Sequence, residues 1–96
     1  GGAATLALAR PAPSPAISHT RIACTLPRAM RLELTLHDAA GRLVRRIAGE
    51  DAAAGIHAYD VNLHDGNGRA LAPGIYLVRL AAGAEVRTQR LVVLGD

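Results

Sequence analysis

Short segments that alternate apolar and polar residues recur along this chain at intervals of roughly ten residues, separated by Gly, Pro, Asp and Asn. Alternate side chains of a strand point to opposite faces, so a period of two marks a sheet with one buried face. A chain punctuated in this way folds into antiparallel strands joined by tight turns, the pattern of a β-sandwich. The clearest instance runs from Arg31 to His37: Leu32, Leu34 and Leu36 face inward, and Arg31, Glu33, Thr35 and His37 outward. From Ser18 to Leu26, Ile22, Cys24 and Leu26 share one face, and Arg21, Ala23 and Thr25 the other.

The remaining segments extend the pattern. Ala4 to Ala9 is expected to be a first strand, with Leu6 and Leu8 on one face. Pro11, Pro13 and Pro15 forbid a regular ladder and make a stiff, extended connector. This divides one domain into an N-terminal strand (1–10), a Pro-rich connector (11–16) and the remainder of the sandwich (17–96). Asp38-Ala39-Ala40-Gly41 closes a hairpin, because Asp38 can accept hydrogen bonds from the turn backbone and Gly41 tolerates a positive φ. Asp65-Gly66-Asn67-Gly68-Arg69 repeats the same Asp-x-x-Gly-Arg signal.

Leu43, Val44 and Ile47 depart from period two. Their spacing also fits a helix, but the hairpin turn before them favours a bulged edge strand over 42–47, guarded by Arg42, Arg45 and Arg46. Glu50 to Gly55 reads as an Ala-rich loop. Ile56 to Leu63 reads as a strand with His57, Tyr59, Val61 and Leu63 on one face. Gly74 to Leu80 is apolar on both faces, which predicts a central strand, and Glu85 to Leu94 is the last. Seven strands and no helix make an all-β, antiparallel sandwich.

Composition limits the chemistry. A length of 96 residues fits one domain, and half are hydrophobic, with Tyr59 and Tyr76 the only aromatics. The core must therefore be aliphatic. No apolar run approaches the roughly 18 residues of a transmembrane helix. The chain starts Gly1-Gly2 without Met, as a processed product or a piece of something longer would. All eleven basic residues are Arg, for a net charge of +3. They are scattered among Glu33, Asp38, Glu50, Asp51 and Glu85 without an aromatic stacking platform, which argues against nucleic acid. Cys24, the single cysteine, sits on an alternating face as a small buried hydrophobe.

His19, His37, His57 and His64 lack metal-ligand spacing; His57 belongs to the core face beside Tyr59 and the other three are expected on the surface. The Asp60 to Gly66 and Asp65 to Gly68 stretches fail the grammar of a calcium loop. Ser14 and Ser18, the only serines, lie in or beside the connector, away from any nucleophile elbow. No catalytic, cofactor or metal residue emerges, and an enzyme is not expected.

In series, these pieces resemble a known family. They are Thr20-Arg21-Ile22 leading to Leu26-Pro27, Leu36 to Val44 with its Asp38 turn, Gly55-Ile56-His57, Asp65 to Arg69, Gly74 to Leu80, and Arg90 to Leu94. Their order is similar to that of the immunoglobulin-like domain of the flagellar hook-capping protein and of the related C-terminal sorting domains (type A-like) of type IX secretion cargo. Val61-Asn62-Leu63 stands where hook-capping members often have Trp-Asp-Gly, and Arg87 and Arg90 stand where sorting domains often carry Lys. The resemblance implies an immunoglobulin-like sandwich and a noncatalytic module of a secreted or cell-surface bacterial protein. The residues it singles out as sorting-motif-like are Gly74, Tyr76, Arg79, Arg90, Leu91 and Val93, with Asp38, Gly41, Asp65 and Gly68 as turn positions.

Two functions follow as expectations. One is a terminal sorting or attachment module whose partners are secretion machinery; association with a membrane surface would then need an anchor. The other is a structural subunit of a filament or similar homo-oligomer, in which the N-terminal strand inserts Leu6 and Leu8 into a neighbouring copy.

Overall fold

The computed structural model describes residues 5–95. Alternation of apolar side chains produces seven strands: β1 (Ala7–Leu8), β2 (His19–Leu26), β3 (Met30–Asp38), β4 (Leu43–Ala52), β5 (Gly55–Asn62), β6 (Gly74–Ala82) and β7 (Glu85–Val93). They form two antiparallel sheets, one ordered β1-β2-β5 and the other β4-β3-β6-β7. The architecture is the expected immunoglobulin-like sandwich.

The inward residues of both sheets build one aliphatic core. Ile22, Cys24 and Leu26 of β2 meet Leu32, Leu34 and Leu36 of β3, Val78 and Leu80 of β6, and Leu91 and Val93 of β7. Each fully buried Leu or Val contributes about 1.5–3 kcal/mol by leaving water. Thr20 shares this face and is wholly buried; its hydroxyl donates to the Pro13 carbonyl at 2.7 Å, so the polar group is satisfied and the connector is tied down.

Several elements differ from the sequence expectation. Ladder pairing of the first strand covers only Ala7↔Thr25 and Leu8↔Cys24, against the predicted 4–9; Ala4 lies outside the described residues. Leu6 and Leu8 are nonetheless buried, in the chain's own core. The predicted loop at 50–55 is mostly strand: β4 continues to Ala52 because Glu50, Asp51 and Ala52 pair with Leu32, Arg31 and Met30. As expected, β4 is a bulged edge strand, with register shifts opposite Leu34/Thr35 and Leu36/His37 that explain the broken period around Leu43, Val44 and Ile47. β6 is central between β3 and β7, as expected; only one of its faces is buried, and Ile75 and Leu77 lie on the outer face, 48% and 37% exposed. An antiparallel sheet of a two-layer sandwich leaves that face to solvent.

Candidate functional site

The two Asp-x-x-Gly-Arg segments fold into matching turns. In the first, Asp38 Oδ1 accepts from the backbone N–H of Ala40 (3.0 Å) and Arg42 (2.9 Å), while the Gly41 N–H donates to the Asp38 carbonyl at 2.9 Å. In the second, Asp65 Oδ1 accepts from the N–H of Asn67 (2.8 Å) and Arg69 (3.0 Å), and the Gly68 N–H donates to the Asp65 carbonyl at 3.1 Å. Gly41 and Gly68 hold φ of +87° and +82°, a region that a side chain strains. The turns differ at the arginine: the Arg42 guanidinium reaches Asp38 Oδ2 at 2.9 Å, whereas Arg69 pairs with no carboxylate among the described residues.

These hydrogen bonds, first that from the Arg42 N–H, hold the Asp38 carboxyl below its ordinary range. The N–H groups of Arg69 and Asn67 do the same for Asp65. Both carboxylates are committed to their turns, so neither is poised to act as a general acid or base.

The fold gathers both turns at one end of the sandwich with Gly74 and Tyr76. The Gly66 N–H donates to the Val44 carbonyl at 3.3 Å, and a groove of about 500 Å³ runs between Asp38, Val44, Asp65, Leu71 and Tyr76. Tyr76 is buried, and its hydroxyl donates to the Ala72 carbonyl at 2.6 Å, as in the tyrosine corner of sandwich folds. Burial, and secondarily the Asp38 charge, push the Tyr76 phenol above its ordinary pKa.

The other motif residues lie elsewhere. Leu91 and Val93 are core, while Arg79 and Arg90 are exposed on the outer face of the four-stranded sheet, where Arg79 pairs with Thr88 and Arg90 with Leu77. Arg87 and Arg90, three apart, emerge on opposite faces of β7: Arg87 pairs with Leu80, on the core side. His19 is exposed as expected, but His37 and His64 are half-buried rather than on the open surface. His37 bonds Thr35 Oγ1 at 2.9 Å, and its flanking turn accounts for the shielding. Among the described residues, no three His, Cys, Asp or Glu side chains come together as a metal-binding group. Cys24 is buried, and that burial raises its thiol pKa, in keeping with a core role.

Sequence periodicity missed the polar contacts along the sandwich's flanks. Arg45 donates to the Asn62 carbonyl at 3.0 Å and to its side-chain oxygen, bridging β4 to β5 across the two sheets. The Tyr59 hydroxyl donates to Glu50 Oε2 at 2.8 Å on the same flank. Burial and the neighbouring Glu50 carboxylate push the Tyr59 phenol up to about 12. On the opposite flank, Gln89 Nε2 donates to the Leu8 carbonyl at 2.8 Å. The Ser14 hydroxyl accepts from the Val92 N–H at 3.2 Å, and the Ala16 N–H donates to the Val92 carbonyl at 2.8 Å.

The family model for the FlgD Ig-like domain matches residues 16–85, from the buried Ala16 at the β7 edge to the first residue of that strand. The chain belongs to the FlgD Ig-like domain family. It is a family of structural modules not known as catalytic. Among solved structures, dimeric latent PorU from Porphyromonas gingivalis superposes with a TM-score of 0.74 at 15% identity, over 99% of this chain and 10% of that one. FLGD from P. aeruginosa gives 0.62 at 19% identity, covering 77% of this chain and 60% of that protein. PorZ, a surface component of the type IX secretion system of P. gingivalis, gives 0.59 at 16% identity, over 93% and 11%. The Ig-like module here thus spans about a tenth of the two Por proteins. No curated protein matches the sequence.

Proposed function

We propose that this FlgD Ig-like module serves an exported bacterial protein as a sorting or attachment domain, acting through protein contacts at the cell surface. The observation that carries the reading is the likeness of 99% of the chain to a segment of PorU, with a second likeness to PorZ, a surface component of the type IX system. The arrangement of the molecule agrees with it. Asp38 and Asp65 are spent on turns, the core is aliphatic, and the molecule offers a partner a sheet face and a strand edge.

Within this reading Asp38, Gly41, Asp65, Gly68, Gly74 and Tyr76 shape the turn-bearing end, Leu91 and Val93 anchor β7, and Arg79 and Arg90 offer charge for recognition. Fusing residues 1–96 to a reporter in a type IX-competent host tests it. Surface or medium localisation of the reporter is expected, and retention in the periplasm contradicts the proposal.

A second reading, assembly by strand exchange, draws on the brevity of β1. Two ladder pairs and the burial of Leu6 and Leu8 hold a segment that the Pro-rich connector separates from the body. Exchange would replace these contacts with equivalent ones in a neighbour. Deletion of residues 1–10 then abolishes oligomers in sedimentation analysis; oligomers that survive the deletion remove this reading.

A further inference from the structure

Backbone groups of successive strand residues point to opposite sides of the strand. At the outer edge of β7, Val92 uses its N–H on Ser14 and its carbonyl on Ala16, and the Leu94 N–H reaches the Ala16 carbonyl at 2.8 Å. Even-numbered residues of β7 therefore present their backbone away from β6. Thr88 and Arg90 have this parity, and no group among the described residues meets their N–H or carbonyl. The Val86 carbonyl, next along, is covered by the Arg87 guanidinium at 3.0 Å.

The connector leaves the edge at this point. A groove of about 490 Å³ opens there, lined by Arg10, Pro11, Pro15, Gln89, Arg90 and Val92, together with Ser14. Arg10 and Arg90 are exposed, and neither forms an ion pair with a carboxylate among the described residues. A strand edge and two guanidinium groups that pair with no carboxylate among the described residues define both the geometry and the charge of what fits.

We propose that the β7 edge takes up an extended acidic segment of another protein as an added strand. Main-chain hydrogen bonds to Thr88 and Arg90 would hold it, and its carboxylates would lie against Arg10 and Arg90. A second copy of this chain is a poorer occupant, because it carries the same net charge of +3 and brings further Arg to the contact. The proposal deepens the protein-binding reading by naming the partner's chemistry. It is tested on the purified chain without export, so failure of one leaves the other open to its own test.

The experiment titrates the 96-residue chain with a labelled peptide of about eight alternating glutamate and threonine residues, and with its lysine counterpart, by fluorescence anisotropy and amide chemical shifts. The acidic peptide is expected to bind at least about tenfold more tightly, more weakly as salt rises, with shifts centred on 86–92. Thr88→Pro should abolish binding while keeping the fold, since that N–H makes no bond to β6 and edge strands tolerate proline facing solvent. Should Thr88→Pro unfold the chain, the double variant Arg10→Glu, Arg90→Glu provides the test by reversing the preference to the lysine peptide. Equal binding of both peptides, shifts confined to β4 or β5, an unchanged preference in the double variant, or dimerisation through β7 in place of peptide binding would each overturn the proposal.

Discussion

The four-stranded sheet has two edges, β4 and β7, and the chain treats them differently. β4 breaks register twice along β3 and is tied to β5 by Arg45–Asn62 and Glu50–Tyr59, while the Gly66 N–H covers its Val44 carbonyl. β7 keeps nine unbroken pairs with β6, from Gly74↔Val93 to Ala82↔Glu85; among the described residues its outer edge is met at Val92 by the connector and at the Val86 carbonyl by Arg87, with Thr88 and Arg90 left free between them. Bulges and cross-sheet polar contacts are recognised ways of making an edge unfit for pairing; a long regular edge remains a template. The contrast teaches that Arg residues can serve opposite ends. Arg45 closes one edge by bonding to its own chain, whereas Arg90 leaves the other open and selects what approaches.

If both edges rest on the same core, truncating it beneath either should cost alike. Leu36→Ala under the β4 side and Leu91→Ala on β7 remove fully buried side chains, and each is expected to lose about 2–5 kcal/mol in urea unfolding. A much smaller loss for Leu91→Ala would mean that β7 is loosely packed, and the edge comparison would lose its footing.

The closed edge gives a middle-sized effect. Tyr59→Phe deletes the hydroxyl that donates to Glu50, so about 0.5–1.5 kcal/mol should be lost, with faster amide exchange along β4 and β5 and little change on β7. The raised Tyr59 pKa adds a sign. Its protonated form is favoured in the folded state, so this contribution is complete below the ordinary tyrosine pKa of about 10 and is lost as pH rises through about 12. An ultraviolet titration that ionises Tyr59 at the ordinary value would contradict the contact.

The smallest effect belongs to the turns at the end of the sheet. The folded-state carboxyl pKa values of Asp38 and Asp65 are lowered, so what they contribute is present above the unfolded value of about 3.9 and disappears as pH falls through the folded values. Amide shifts of Ala40, Arg42, Asn67 and Arg69 should titrate below that value, while the edges hold their spectra over the same range. Midpoints at or above it would show that the turn hydrogen bonds do not persist in solution.

Much of this was legible in the sequence, for a physical reason. Strict alternation in 31–37 and 18–26 reports a half-buried strand directly, and the Asp38 and Asp65 turns announce themselves through residues that satisfy their own backbone. Glu50 and Asp51 were hidden as strand because their order comes from pairing with β3, and no apolar period records such pairing. Ile75 and Leu77 marked a central strand, which β6 is, but hydrophobicity alone does not reveal whether a second layer covers the outer face of the sheet. Of the candidate site, the turns and Tyr76 could be named in advance. The Arg45–Asn62 and Ser14–Val92 contacts could not, since they join positions 17 and 78 residues apart across elements whose relative placement only the folded chain defines.

The asymmetry of the edges is open to one direct measurement, amide hydrogen exchange resolved residue by residue along β7 in the free chain. Protected amides at Val92 and Leu94, with prompt exchange at Thr88 and Arg90, are the result expected of an edge that Ser14 and Ala16 cover at one end and that is free at the other. Equal protection of all four would mean that the edge is already covered, and equal exchange that the connector does not dock; either result contradicts the account.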